Sequence, residues 1–375
     1  MKKILTIIGT RPEAIKMAPL CHGLSNEPWV EHKLCLTGQH REMLDQVVTL
    51  FDLHADYNLK IMKGSQTLSQ VAASILTSLT PVLEDYQPDL VLVHGDTSTC
   101  VIAALSAFYL HIPVMHVEAG LRTKDILAPW PEEANRRLVS VITQHHFAPT
   151  KLAQNNLLKE GVDTKNITVT GNTVVDALYY IHSKITNNHI VESDILKDFA
   201  KIDFKKHIIL VTCHRRENFG EGVLNVCRAL RKLSNLYPDF QIVYPVHLNP
   251  KIQEPVNELL GGQKNILLFP PLEYMHFVYL MSKAYFILTD SGGIQEEAPA
   301  LGKPVLVMRD TTERHEAVNA GTVKLVGTSA ETIVDECCQL INDESQYKSM
   351  ARAHNPYGDG RASEQIIKKI RQIVC

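Results

Sequence analysis

The sequence predicts an α/β protein of two units, each a parallel sheet covered on both faces by helices. Three observations carry this. Short, nearly continuous apolar runs alternate with helix-like stretches, the pattern of strands buried on both faces. The alternation stops at a polar stretch from Ser183 to Lys206 and then restarts. The chain's 375 residues exceed the size at which one hydrophobic core usually stops growing.

In the first unit the strand-like runs are Ile4 to Ile8, Lys33 to Thr37, Leu90 to His94, Val114 to Val117 and Ile167 to Thr170. His145 and His146, before the apolar Phe147-Ala148, read as strand residues rather than ligands. The second unit begins with Ile208 to Thr212 and continues through Ile242 to Val246, Ile266 to Phe269, Phe286 to Thr289, Val305 to Met308 and Val323 to Val326. Segments such as Gly222 to Leu236 and Ala330 to Ile341 supply crossover helices, and Ala362 to Val374 forms a terminal amphipathic helix. No sequence repeat links the halves.

Apolar residues make up 45% of the chain and charged residues 21%, which suits packed domains throughout. A net charge of -3 provides no general field for nucleic acid or an anionic membrane, so phosphate recognition must be local. The apolar run after Met1-Lys2-Lys3 is too short for a signal sequence, and no stretch approaches transmembrane length; the expected location is the cytosol. Eight cysteines form no CxxC pair and read as reduced, buried thiols. Cys213 and His214, adjacent in an extended strand, would point to opposite faces and make a poor nucleophile and base.

In open parallel sheets, ligands bind beyond the carboxyl ends of the strands. Here those ends are polar: Gly9 to Glu13, His94 to Thr97, Glu118 to Arg122, His214 to Asn218, and Asp290 to Gly293. Ser291-Gly292-Gly293, opening onto a helix, suits a phosphate held by free amides, with a tight strand-to-helix turn as the plainer alternative. Glu297, a turn further on, could accept from ribose hydroxyls, or be an ordinary solvated helix glutamate. Arg11 and Lys16 are placed to meet anionic oxygens, though basic residues at helix ends are often merely solvated.

Glu132 falls in the first turn of a helix running to Ile142, where the dipole favours a carboxylate and capping alone could account for it. With Asp96 and Glu118 it makes three acids suited to proton transfer on a sugar. His214 lies at a strand end beside two arginines and could contact phosphate or act as an acid. The Gly9 loop lacks both the P-loop ending and the GxGxxG spacing, and no histidine or cysteine cluster has metal-ligand spacing, so neither cofactor nor metal is expected.

With those residues laid out, the sequence resembles the non-hydrolysing UDP-N-acetylglucosamine 2-epimerases nearly end to end. The matching blocks are GTRPEAIK from Gly9, TGQHREM from Thr37, HGDT from His94, HVEAGLRT from His116, PEEANRR from Pro131, GNTVVDAL from Gly171, HRREN from His214, TDSGGIQEEAP from Thr289 and TTERHEA from Thr311. The resemblance implies the GT-B fold, two Rossmann-like domains facing a central cleft. It implies an N-terminal domain over residues 1–175, a UDP-binding domain over 176–359, and a final helix of about residues 360–375 packed back on the first.

By the same resemblance Asp96, Glu118, Glu132 and His214 match the catalytic set. Arg11, Lys16, Ser291, Gly292, Gly293, Glu297 and Arg314 match residues around nucleotide and sugar, and Phe277 flanks the uracil. In some relatives a second UDP-N-acetylglucosamine binds as activator, contacted by the segment matching Gln39, His40, Arg41, Glu42 and Met43 and by the arginine matching Arg215. A homodimer is implied. The implied reaction is reversible conversion of UDP-N-acetylglucosamine to UDP-N-acetylmannosamine. Carbon 2 has no adjacent carbonyl to stabilise a carbanion, which favours elimination of UDP to 2-acetamidoglucal and re-addition. Another GT-B enzyme, a hydrolysing epimerase or a glycosyltransferase, and an inert sugar-nucleotide sensor are the alternatives.

Overall fold

The computed structural model describes residues 1–38 and 41–375, and of Arg41, Glu42 and Met43 the backbone alone. The chain divides into two compact units, Met1–Tyr179 with Tyr357–Cys375, and Tyr180–Pro356. Each contains one parallel sheet.

The first sheet is formed by β1 (Lys2–Ile8), β2 (Val30–Leu36), β3 (Tyr57–Asn58), β4 (Leu90–His94), β5 (Val114–Val117), β6 (His145–Ala148) and β7 (Ile167–Val169). Their order among the described residues is β3-β2-β1-β4-β5-β6-β7. The second sheet is formed by β8 (His207–Thr212), β9 (Phe240–Pro245), β10 (Ile266–Phe269), β11 (Phe286–Thr289), β12 (Val305–Val307) and β13 (Val323–Leu325), in the order β10-β9-β8-β11-β12-β13. Both follow the doubly wound pattern, in which the winding reverses between the first and fourth strands of the unit.

Burial explains why these strands read so plainly as apolar runs. Leu5, Ile7, Val91 and Val93 are at most 1% exposed and pack with Ile75, Leu79 and Leu83 of helix Leu68–Tyr86. In the second unit Ile209, Val211, Tyr244 and Leu288 pack with Val226, Leu230 and Leu233 of helix Glu221–Leu236. Fully burying one such aliphatic side chain stabilises the fold by about 1.5–3 kcal/mol. Edges were harder to place. β2 begins at Val30, three residues before its apolar run, because half-buried Glu31 and His32 belong to the strand. β3 is two residues long and leaves no periodic signal.

The polar stretch 183–206, read as a crossing between units, is largely helical and lies in the second unit. Helix Thr173–Thr186 runs into it, and helix His189–Asp198 is capped by Asn188, whose side chain accepts from the Ile190 and Val191 amides. Its polarity reflects exposed helix surface. The terminal helix Ala362–Val374 belongs to the first unit and packs on helix Arg11–Ser25. Asp176 holds its start by accepting from the Ala362 and Ser363 amides at 3.2 and 2.7 Å. At Gly23 the two helices pass closely, and a Cβ there would push on the end of the Ile367 side chain, 2.4 Å from its Cδ1.

Candidate active-site residues

The winding of each sheet reverses at the point where two neighbouring strands carry their following chain to opposite faces. Those points, β1 beside β4 and β8 beside β11, are where ligand sites form in such sheets. Both are built almost wholly from polar residues.

In the first unit, β1 ends in Gly9. A Cβ there would fall 2.0 Å from Thr99 Oγ1 and 2.8 Å from Thr37 Oγ1, so only glycine fits. Thr10 then caps helix Arg11–Ser25 through a capping box with Glu13, which leaves half-buried Arg11 as the first helical residue. β4 delivers Asp96. Arg136 grips its carboxylate with Nε at 2.9 Å and Nη2 at 2.7 Å, and Asn135 donates to its backbone carbonyl at 2.8 Å. Arg136 is itself held by the fully buried Glu133 at 3.2 Å.

β5 delivers Glu118 with φ +63°, a left-handed conformation that costs a residue other than glycine of order 1–3 kcal/mol. Its Oε2 accepts from Lys16 Nζ at 2.5 Å and from Asn172 at 2.8 Å, and His94 Nε2 stands 3.7 Å away. Burial lowers the His94 pKa to about 4, so that ring is neutral. Lys16, grouped by resemblance with the substrate ligands, therefore also sits as the cation of Glu118. Glu132 opens helix Glu132–Ile142 without a side-chain cap bond from Pro131, and its Oε2 is buried with no hydrogen-bond partner. Capping of Pro131's helix is thus carried by the chain and the dipole, and one carboxylate oxygen is left over.

In the second unit, β11 delivers the fully buried Asp290. Its Oδ2 accepts from the His214 and Arg215 amides, both at 2.8 Å, and from Asn218 at 3.0 Å, while Oδ1 stands 3.1 Å from His214 Nδ1. Burial works to raise this carboxyl, but the His214 side chain and these amides outweigh it and hold Asp290 below the usual range. With Nδ1 turned to Asp290, Nε2 is the imidazole atom left to meet a ligand. The His214 ring is 41% exposed, in keeping with such a role.

Ser291 is the N-cap of helix Gly292–Glu297, which tightens at once into the 3-10 turn Ala298–Leu301. Two guanidiniums bracket Gly292: a Cβ on it would stand 3.3 Å from Arg314 Cζ and 3.5 Å from Arg215 Nη2. Arg314 is fixed by buried Glu296 at 2.7 Å and by Glu313 at 3.0 Å. Burial tends to raise Glu313, yet Arg314, its own backbone, Arg309 and Arg215 bring it down to about 2. A carboxylate so fully ionised holds the Arg314 and Arg215 guanidiniums beside Gly292. Glu297 accepts from Tyr274 at 3.0 Å, and half-buried Phe277 lies one turn beyond Tyr274 on helix Tyr274–Lys283.

The residues named from the sequence therefore fall into two groups, Arg11, Lys16, Asp96, Glu118 and Glu132 in one unit, and His214, Arg215, Phe277, Ser291, Gly292, Gly293, Glu297 and Arg314 in the other. Gln39 and His40 lie outside the described residues, as do the side chains of Arg41, Glu42 and Met43. Sequence reasoning missed Arg136, Asn172 and Glu13, and passed over Asp290 although it quoted the run that contains it. Asp290 had a signal, an acid ending a strand just before a glycine turn; for the others the long-range bonds, Arg136 to Asp96, Asn172 to Glu118 and Glu13 to Thr97, are made only by folding. Among the described residues no group of three or more His, Cys, Asp or Glu is arranged to hold a metal. No described helix is long and apolar enough to cross a membrane.

The family model of UDP-N-acetylglucosamine 2-epimerase matches residues 22–371. The chain is 54% identical over 369 residues to the Escherichia coli K12 UDP-N-acetylglucosamine 2-epimerase and 55% identical to that of Yersinia pestis, each match covering 98% of both chains. It is similar to the structure of the Neisseria meningitidis UDP-GlcNAc 2-epimerase bound to UDP-GlcNAc, with 52% identity and a TM-score of 0.91 over 99% of this chain and 100% of that one. The Methanocaldococcus jannaschii UDP-GlcNAc 2-epimerase in complex with UDP-GlcNAc and UDP is 34% identical, with a TM-score of 0.80 over 99% of both chains. Two Rossmann-like sheets with polar strand ends, matched at this level, define a GT-B enzyme. The chain belongs to the UDP-N-acetylglucosamine 2-epimerase family, as its sequence motifs indicate.

Proposed function

We propose that this epimerase interconverts UDP-N-acetylglucosamine and UDP-N-acetylmannosamine by eliminating UDP and adding it back. The carbon 2 proton passes to a carboxylate, the C–H electron pair becomes the carbon 1–carbon 2 double bond, and the carbon 1–oxygen pair leaves with the β-phosphate. The products of that half-reaction are 2-acetamidoglucal and UDP. Return of a proton to the opposite face of carbon 2, with re-addition of UDP at carbon 1, completes the inversion.

Asp96, Glu118 and Glu132 carry the proton between them. The observation that best supports this is Glu118, a partly buried carboxylate held by Lys16 and Asn172 on a left-handed backbone at a strand end. The diphosphate is held by the Ser291–Gly293 amides, Arg314 and Arg11, with His214 meeting the departing oxygen; their work is to stabilise charge that appears as the bond breaks. Glu297 takes the ribose hydroxyls and Phe277 the uracil. We assign the enzyme to the cytosol and to a homodimer, and assign a regulatory UDP-N-acetylglucosamine to residues Gln39 to Met43 with Arg215.

The test is to incubate metal-stripped protein with UDP-N-acetylglucosamine in D2O, following carbon 2 by NMR, with a label in the oxygen bridging carbon 1 and the β-phosphate. The expected product is UDP-N-acetylmannosamine with deuterium at carbon 2 and the label scrambled into nonbridging positions. Free N-acetylmannosamine or a transferred sugar would overturn the epimerase reading. An unscrambled label, with no free glycal from any slow variant, would overturn elimination.

A further inference from the structure

Glu13 is one of the buried acids of the first unit that the mechanism above does not use. Glu13 is 2% exposed and accepts four hydrogen bonds. Its Oε2 takes the Gly9 amide at 2.8 Å, the Thr10 amide at 2.7 Å and the Thr10 hydroxyl at 3.0 Å. Its Oε1 takes the Thr97 hydroxyl at 2.5 Å. The first three bonds are those of a helix cap. The fourth is not. It reaches 84 residues along the chain to the loop after β4, across the point where the sheet's winding reverses.

Thr97 is the residue after Asp96, and its Oγ1 also accepts from the Cys100 amide at 3.0 Å as N-cap of helix Ser98–Tyr109. A single hydroxyl therefore donates to Glu13 and caps the helix that follows Asp96. Asp96 is consequently located from three sides: at the carboxylate by Arg136, at its carbonyl by Asn135, and through its neighbour by Glu13. The only one of these links that reaches the loop carrying Arg11 is Glu13.

We infer that Glu13 is a positioning residue for the reaction, a carboxylate strut that fixes the Gly9–Arg11 loop against the Asp96–Thr97 loop. The inference rests on the proposed role of Asp96. Burial lifts the Glu13 pKa to about 7, outweighing the bonds from Thr97, Gly9 and Thr10 that favour the ionised form. Keeping an acid in so unfavourable a place gains nothing for a cap that an exposed glutamate would make as well, whereas a strut between two loops has to be interior. Misplacing a reacting group by about 1 Å can cost on the order of a hundredfold in rate.

The test compares Glu13→Gln, Thr97→Val, Thr97→Ser and the Glu13→Gln/Thr97→Val double variant in full-length protein, by kcat, KM, the UDP dissociation constant and Tm. Glu13→Gln and Thr97→Val should each lower kcat by roughly ten- to a hundredfold, with a smaller loss of UDP affinity, at most about tenfold, because a displaced Arg11 leaves the Ser291–Gly293 amides and Arg314 on the diphosphate. The double variant should be no slower than the worse single one, because both break the same link. Thr97→Ser, which keeps the hydroxyl, should restore most of kcat. Variants that lose only Tm and keep kcat would reduce Glu13 to a cap and overturn the inference. Should Thr97→Val fail to fold, Glu13→Gln against Thr97→Ser decides by the same criterion. Asp96→Asn serves as the control: wild-type turnover in that variant would sink the proposed role of Asp96 itself, whereas a dead Asp96→Asn beside a fully active Glu13→Gln would sink the strut alone.

Discussion

The two units place a buried carboxylate at the same topological point and put it to different use. In each, an acid bridges the loops where the sheet's winding reverses, Glu13 to Thr97 in the first and Asp290 to His214, Arg215 and Asn218 in the second. Asp290 faces an imidazole and two amides and is held below the usual carboxylate range, so it works as a fixed negative charge that orients a histidine. Glu13 faces amides and hydroxyls but no cation among its bonded partners, and burial lifts it to about 7. The neighbours follow the same division. In the first unit the strand ends carry the acids Asp96 and Glu118, and Glu132 opens the helix Glu132–Ile142; in the second they carry arginines, a histidine and a glycine turn. On the roles proposed above, one fold, used twice, carries proton transfer at one switch point and anion binding at the other.

If that division is right, removing an acid of the first unit should abolish turnover and spare nucleotide binding. Asp96→Asn, Glu118→Gln and Glu132→Gln are each expected to lower kcat by at least roughly a hundredfold, the scale of a lost proton-transfer group. A steady-state assay of product decides it, and wild-type rates in all three would end the assignment.

The converse break lies in the second unit. Arg314→Ala should raise the UDP dissociation constant by roughly ten- to a hundredfold, the worth of a charge-assisted hydrogen bond or two. It should also lower Tm, because Glu296, 1% exposed, would lose its cation. Adding Glu296→Gln should recover part of the Tm and none of the affinity, which separates the two effects in calorimetry.

A subtler contrast concerns pH. The folded-state pKa of Glu13 lies above its ordinary value of 4.5, at about 7. The folded protein therefore binds that proton more tightly than the unfolded chain, and the contribution of Glu13 to stability falls as pH rises from 4.5 to 7. Relative to Glu13→Gln, wild type should lose up to about 3 kcal/mol of unfolding free energy across that window. Asp290 has the opposite sign, since its depressed pKa contributes stability at neutral pH that is lost only as pH falls through the acid range. Denaturant titrations from about pH 2 to pH 8 should place the Glu13→Gln difference between pH 4.5 and 7 and the Asp290→Asn difference, opposite in direction, below its ordinary value of 3.8; differences of the same sign in one window would erase the distinction.

How far the molecule was legible in its sequence follows from the same physics. The strands were readable because burial on both faces demands apolar residues at every position, as in Leu90–His94. The polar strand ends stood out against that background, so Asp96, Glu118, His214 and the Ser291–Gly293 turn could be named one by one. What stayed hidden was pairing at a distance. Lys16 and Glu118 are 102 residues apart and Arg309 and Glu217 are 92 apart, and no local period reports such contacts. Glu13 was hidden in a different way: its capping-box spacing with Thr10 is a sufficient local explanation, and so conceals the longer bond to Thr97. The polar helix His189–Asp198 misled because only a thin apolar stripe, with Ile195 buried, holds it to the fold.

The division of labour is tested most directly by titrating UDP into Glu118→Gln and Arg314→Ala side by side, with turnover measured on the same preparations. Glu118→Gln should bind UDP within a few-fold of wild type while losing at least about a hundredfold in kcat, and Arg314→Ala should lose UDP affinity by roughly tenfold or more. Equal loss of UDP affinity in both variants, or full turnover in Glu118→Gln, would contradict the account.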